Sequence, residues 1–442
     1  MNTRNIALRI LFDVEKNGAY SALALNNSIK ENKLQPIDAS FLSALVYGVI
    51  ERRITLDYII GQYSKIPLKK IDLKTKIILR MGILQIIFMD RVPDSAAVNE
   101  SVKLAKKNKL FRSSGFINGI LRSVTRAENK YILPDESDKV KYLSVKYSCP
   151  EEIVSLWLSS YGEKLSVEIL SSLSGRPQLT ARVNTLKTTS EKLIQELGRF
   201  GVQAEVSPVD ENAVVLKNTG SIESLAAYKN GELYVQDLSS QLCVKALSPK
   251  PGEVMLDVCS APGGKSLTAA QYMRDRGKIY ACDIFEHKLK LIRDSARRLG
   301  IKSILTAIRD ASDESAEITM AEKVLCDVPC SGLGIIARKP EIRYKDDLLN
   351  TDLSSLQYKI LCVSSKYVLT GGTLVYSTCT LNPRENNEIA EKFLDEHPDF
   401  EPIKLDLGIE HKIDEKDNTL TLFPCGGLTD GFFISAFKRV RT

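Results

Sequence analysis

The chain reads as a multi-domain protein: an all-α bundle, a small RRM-like α+β segment, then a doubly wound, Rossmann-like α/β domain. Three observations predict this. At 442 residues, the chain is long enough for two to four domains of roughly 100–200 residues each. Apolar residues recur at helical spacing throughout residues 1–130. From about Leu233 short apolar runs alternate with helical stretches, the rhythm of a mostly parallel sheet with helices on both faces.

In the first third, Ile6, Ala7, Ile10, Leu11 and Val14 share one helical face. Further helices are expected over 39–63, 72–89, 94–108 and 111–126, with Asp72 and Asp94 in N-cap positions. Residues 131–149 are mixed, polar and contain Pro134, so they read as a linker. The α+β segment, 150–232, has helices over 151–161, 164–174 and 190–200 and strand-like runs over 178–184, 202–206 and 213–216. The final domain, 233–442, carries strands over 254–259, 278–283, 304–308, 324–328 and 373–377, with helices over 265–275 and 286–299.

Composition narrows the function classes. A hydrophobic share of 43% with 26% charged residues suits a folded core and excludes a disordered or fibrous chain. The most apolar short run, 81–89, is far below the ~20 residues of a membrane span. Arg9 and Asp13 interrupt any apolar leader. A cytoplasmic, monomeric protein with no membrane partner is therefore expected. Nine cysteines without a C-x-x-C pair or histidines at zinc spacing predict reduced thiols and no metal. Charge is uneven. Residues 1–130 hold 22 lysines and arginines against 11 aspartates and glutamates, on a chain of net charge +6. Such a basic third suits a polyanion, or merely keeps a helical surface solvated.

The strongest local signal is Leu256-Asp257-Val258-Cys259-Ser260-Ala261-Pro262-Gly263-Gly264-Lys265-Ser266. A buried strand runs into a turn and then a helix, and the two glycines allow a ligand close to the backbone. A Walker A loop would need glycine where Cys259 stands. The dinucleotide fingerprint G-x-G-x-x-G is also missing. What remains is a sheet-end pocket for a nucleoside without a pyrophosphate, such as S-adenosyl-L-methionine. Asp283, at the end of the next strand, suits its ribose hydroxyls, and Asp310, after the third, its adenine amino group. Asp257 suits its ammonium.

Two later strands end in cysteine-bearing turns, Asp327-Val328-Pro329-Cys330-Ser331-Gly332 and Ser377-Thr378-Cys379-Thr380. Carbon 5 of a pyrimidine is a poor nucleophile. A thiolate adding to C6 makes the ring an enamine, and C5 can then accept a methyl group. Asp327 is placed to hold a proton for N3 if burial raises its pKa. Where exocyclic amines are methylated, an aromatic residue follows the Asp-x-Pro turn. Cys330 stands there instead, which points to ring-carbon chemistry. Buried thiols can also be small hydrophobes, a description that suits Cys243, Cys282 and Cys362 better than the two turn cysteines. Spacing alone does not say which of Cys330 and Cys379 attacks.

These turns, together with Thr429-Asp430-Gly431-Phe432-Phe433, resemble the RNA 5-methylcytosine methyltransferases of the Nol1/Nop2/Sun family across 233–442. The first third resembles the RNA-binding domain of the antitermination factor NusB. The resemblance implies methylation of cytosine C5 in small-subunit (16S) rRNA, with Cys379 as the C6 nucleophile and Cys330 assisting release. It implies cofactor contacts from Cys259, Ser260, Ala261, Pro262, Gly263, Gly264, Lys265, Asp283, Asp310 and Asp327, with Lys265 also orienting the base. Serine at 260 departs from the alanine common in the family. The same chemistry on tRNA, or a non-catalytic rRNA-binding assembly factor, are the alternatives.

Overall fold

The amphipathic faces of the first third close on one another as α1 (Thr3–Asn17), α2 (Ser21–Glu31), α3 (Pro36–Glu51), α4 (Arg53–Tyr63), α5 (Leu73–Phe88), α6 (Asp94–Lys107) and α7 (Phe111–Arg126). Their core holds Ile6, Leu42, Leu45, Leu56, Ile78 and Leu121, among others. The computed structural model describes residues 3–441 apart from 176, 316–318, 346–347, 350–351, 410–412 and 417. Asp72 caps α5, its carboxylate accepting from Thr75 N at 2.9 Å. Asp94 does not cap α6. It is the first helical residue, behind Pro93, where its charge meets the helix dipole. The stretch 39–63 is two helices, broken at Arg52.

Residues 131–149, expected as a linker, instead contain helix α8 (Lys139–Tyr147), capped by Asp138 and tied to α4 by Thr55 Oγ1 donating to Val145 O at 2.6 Å. The two helices expected after it are α9 (Glu151–Ser172), interrupted at Gly162, with Trp157 fully buried. By contacts the chain forms two units, Met1–Gly175 with Ile336–Leu348, and Arg176–Ile335 with Leu349–Thr442. The returning segment is seated in the helical unit. The carboxylate of Glu341 accepts from Ser21 N at 3.2 Å and Ser21 Oγ at 2.8 Å, and Arg343 Nη1 donates to Ser148 O at 3.0 Å. A cavity of about 420 Å³ opens beside it. The one nearly inaccessible cation on its lining, Arg80, is taken up by Asp57 and Glu15. No described helix is long and apolar enough to cross a membrane.

The second unit begins with an antiparallel sheet ordered β2-β3-β1-β4, from β1 (Leu179–Val183), β2 (Gln203–Val206), β3 (Ala213–Lys217) and β4 (Leu233–Val235). Helices α10 (Ser190–Arg199) and α11 (Ala226–Lys229) belong to it. Next come α12 (Leu238–Leu247), β5 (Val254–Asp257), α13 (Gly264–Tyr272), β6 (Lys278–Asp283), α14 (Glu286–Leu299), β7 (Ile304–Ile308) and β8 (Ala321–Asp327). They are followed by α15 (Leu353–Ser365), β9 (Val368–Thr378), α16 (Asn387–Glu396), β10 (Phe400–Pro402), β11 (Ile413–Lys416), β12 (Thr419–Leu422) and β13 (Phe432–Arg439). Buried Arg182 of β1 pairs with Asp210 at 2.8 Å and reaches Gln241 of α12 at 3.3 Å, fastening the small sheet to the larger domain.

The large sheet runs β11-β12-β13-β9-β8-β5-β6-β7. Strands β9, β8, β5, β6 and β7 are parallel. The remaining strands are antiparallel, so the sheet is mixed. Along β9, Leu374 and Tyr376 enter one core layer and Val375 the other, as period two requires. With both faces covered, the open end is the carboxyl edge of the parallel strands, where doubly wound sheets bind ligands.

Candidate active site

At the carboxyl edge β5 ends in Asp257, β6 in Asp283 and β8 in Asp327. The turn after β5 is fixed by Ser260 N donating to Cys282 O at 2.8 Å and Gly263 N to Ser260 O at 2.7 Å. Gly263 has φ +104°, a conformation that strains any side chain. The amino end of α13 follows, and its free N–H groups favour an anionic or polar ligand. Asp257 is fully buried. Its Oδ2 accepts from Ser266 Oγ at 2.7 Å, and burial pushes its carboxyl up to about 7. Asp257 Oδ1 and Ser260 Oγ, both buried, have no hydrogen-bond partner. An acceptor and a hydroxyl without partners beside a glycine turn fit a ligand carrying ammonium or hydroxyl donors.

Cys259 and Ala261 are half-buried, Ser260 and Gly263 buried, and Pro262 exposed. Asp283 is nearly buried, 3.1 Å from Phe285 N and 3.6 Å from Lys288 Nζ. Asp310 lies two residues beyond β7, exposed, with Oδ1 accepting from Ser312 Oγ and N, bonds that hold it below the usual carboxylate range. Among the described residues, its side-chain hydrogen bonds go to Ser312 and not to the other expected site residues.

Lys265, the second residue of α13, reaches Asp327 at 2.7 Å and lies over the ring of Phe432 at 5.1 Å. Burial works against its charge, but the negative groups around it, Asp327 foremost and Asp257 with it, together hold the ammonium above the ordinary lysine range. The other oxygen of Asp327 accepts from Ser377 Oγ at 2.8 Å, across adjacent positions of β8 and β9. Asp327 is therefore an acceptor between two donors.

The Cys330 and Cys379 sulfurs are 3.3 Å apart. Their turns leave neighbouring parallel strands, and Ser331 Oγ meets Thr380 Oγ1 at 2.7 Å immediately beyond them. The Cys330 thiol is held well above its ordinary range, first by its hydrogen bond to Cys379 and then by burial. Cys149, Cys243 and Cys326 are buried, with thiols pushed up to about 12, and Cys282 to about 11. Burial makes these poor nucleophiles. No cluster of His, Cys, Asp or Glu suited to a metal occurs among the described residues.

Some residues at the site carried no signal strong enough to single them out. Gln236, before the Asp237 cap of α12, packs so closely that a Cβ on Gly264 would lie 3.3 Å from its Nε2. Glu385 is buried between the two cysteine turns. Its segment, Asn382-Pro383-Arg384-Glu385, stands out only as a turn after Thr380.

The family model described as 16S rRNA methyltransferase RsmB/F matches residues 244–438, the NusB family 1–126, and the RsmF/B-like ferredoxin-like domain 149–223. A relative from Bacillus subtilis (strain 168), the probable ribosomal RNA small subunit methyltransferase B, is 37% identical over 99% of either chain. Its namesake in Synechocystis is 34% identical over 99% of this chain and all of its own. The solved structure of a methyltransferase homolog protein from Pyrococcus horikoshii shares 28% identity, with a TM-score of 0.60 over 68% of this chain and 99% of that one. Identity of this order along the whole length, over a helical unit, a small sheet and a doubly wound domain in that sequence, means that the chain belongs to the family of ribosomal RNA small subunit methyltransferase B.

Proposed function

We propose that the protein methylates C5 of a cytosine in 16S rRNA, using S-adenosyl-L-methionine and a transient bond between Cys379 and C6 of the base. The observation that carries this is the pair of sulfurs 3.3 Å apart at the ends of adjoining strands, beside the Lys265–Asp327 pair. Relatives along the full length are named for small-subunit rRNA, which favours that RNA over tRNA.

The turn 259–265, with Asp257 and Asp283, would hold the cofactor, and Asp310 would flank its base. When bound, the cofactor supplies an electrophilic methyl group. The chain's own residues prepare the ring. The Cys379 thiolate forms a bond to C6, and the displaced electron pair collects toward N3 and O2, where Lys265 donates a hydrogen bond. This makes C5 nucleophilic. Cys330 donates its S–H to Cys379 beforehand, which favours the thiolate there. Once the Cys379 sulfur is bonded to carbon, the hydrogen bond to a thiolate that chiefly held the Cys330 proton is gone. Cys330 can then lose that proton to solvent and take the one from C5. The C5–H electron pair re-forms the ring double bond as Cys379 leaves with the pair of its C–S bond.

The test uses unmethylated 16S rRNA and labelled cofactor. Cys379→Ala is expected to abolish transfer while still binding cofactor. Cys330→Ala is expected to stall as a protein–RNA adduct, seen as a retarded band on a denaturing gel. Normal turnover by Cys379→Ala, or simple loss of RNA binding without an adduct in Cys330→Ala, overturns the assignment.

A further inference from the structure

The buried carboxylate of Glu385 joins the two cysteine turns. It is 3% exposed, sits in the short turn Pro383–Glu385, and accepts four hydrogen bonds. Oε2 takes Ser331 N at 2.9 Å and Gln357 Nε2 at 2.9 Å, and Oε1 takes Ser331 Oγ at 2.5 Å and Asn382 Nδ2 at 2.8 Å. Four donors on one carboxylate fill its acceptor capacity. Among the described residues no lysine or arginine pairs with it.

The direction of the chain beyond it follows. Ser331 Oγ donates to Glu385 Oε1 and so spends its one proton there. Thr380 Oγ1 must then donate to Ser331 Oγ across 2.7 Å, leaving its own lone pair for Leu333 N at 3.4 Å. Ser331 follows Cys330, and Thr380 follows Cys379. The residue after each cysteine is thus held on one hydrogen-bonded chain that starts at Glu385. The same segment grips the second strand end through Asn386, which accepts from Thr378 Oγ1 at 2.6 Å and donates to Thr380 O at 3.0 Å.

We propose that Glu385 is the positioning residue of the reaction: it orients the Cys330 and Cys379 turns so that both sulfurs address one base. It touches neither substrate nor cofactor. A second effect follows from its charge. Near Cys330 it opposes another negative charge there, so the first thiolate to form is at Cys379. The inference rests on the cytosine-C5 reading for its consequence, but the geometry can be tested apart from it.

Glu385→Gln is isosteric, but its NH2 group must face at least one of the four donors, so the chain breaks. Misplacing a reacting group by about an ångström can cost about 100-fold in rate. The expected result is a fall of that order in kcat on 16S rRNA, with the KM for cofactor and the RNA affinity unchanged, and partial recovery in Glu385→Asp. Phenylarsine oxide, which needs two close thiols, gives a readout independent of turnover. Peptide mass mapping should find it bridging Cys330 and Cys379 in the parent chain but not in Glu385→Gln, where both thiols still react singly with a maleimide. Should Glu385→Gln not fold, Ser331→Ala removes the middle of the chain and is expected to lower kcat and arsenical bridging together. Parent-level kcat and bridging in Glu385→Gln, or in Ser331→Ala in its place, overturn the proposal. Loss of bridging in a chain whose parent makes no C5-methylcytosine would retain the positioning role and remove the reaction assigned to it.

Discussion

Asp257 combines full burial with an acceptor oxygen that has no partner, and its carboxyl is pushed up to about 7 by that burial. A carboxyl raised in this way keeps its proton in the folded chain where the unfolded chain has lost it. Ligand-free stability therefore falls as pH rises from the usual carboxylate range through about 7. Binding of a cationic ligand runs the other way, because only the ionised form receives an ammonium. Titration calorimetry with S-adenosyl-L-methionine should show affinity rising by about tenfold between roughly pH 6 and 8, with proton release on binding. Asp257→Asn should bind weakly with a flat profile. A flat profile in the parent chain would remove Asp257 from the ammonium site. The paired thiols were legible as residues because each interrupts a strand-end turn where a small hydrophobe has no reason to be. Glu385 was not legible. Its partners Ser331 and Gln357 lie 54 and 28 residues away, and no local pattern announces a carboxylate whose donors come from a distant turn, its own turn and a helix.

Between elements, the tightest approach near the thiols is that of two loops. Gly334, whose N donates to Cys379 O at 3.0 Å, lies against Gly431, whose N donates to Gly334 O at 2.9 Å. A Cβ on Gly334 would stand 1.9 Å from Gly431 O, so backbone has to move. Gly334→Ala is expected to lower kcat by about 100-fold through displaced thiols, with cofactor affinity kept. Equal turnover in steady-state assays would show that the loops yield elsewhere. In the helical unit, Trp157 is the one tryptophan of the chain and fully buried. Trp157→Ala should cost about 3–5 kcal/mol in denaturant unfolding. Trp157→Phe should cost less, since the indole N–H has no partner to lose. Strands β6 and β7 and helix α14 have the bounds that the sequence predicts: a buried strand and a strongly amphipathic helix leave clear periods, and β7, though largely exposed, is a short apolar run between polar Ser303 and Arg309. Helix α2 was not legible, since it buries only Ser21 and Leu25. The antiparallel strands β10–β13 are mostly short; β13 pairs with β9, and the other three add on to β13 or to one another.

On the scale of the whole molecule, the excess of positive charge lies in the first 130 residues. Lys103, Lys106, Lys107 and Lys109 are exposed in α6 and just beyond it. If this face holds RNA through phosphates, log affinity falls linearly with log salt, by about 0.7–0.9 per contact. Filter binding of 16S rRNA fragments by a chain with Lys106, Lys107 and Lys109 replaced by Gln should show a shallower slope, with kcat at saturating RNA unchanged. An unaltered slope would place the contacts elsewhere. The division of the chain itself was the least legible property, because nothing in residues 336–348 signals that they belong with the helices. That excursion bears on biosynthesis. The ribosome has made most of the parallel strands before Glu341 emerges to cap a helix near the amino terminus. The amino-terminal unit cannot complete its native packing as a nascent fragment. A ribosome stalled short of residue 348 should present those helices more open to protease than the finished polypeptide does.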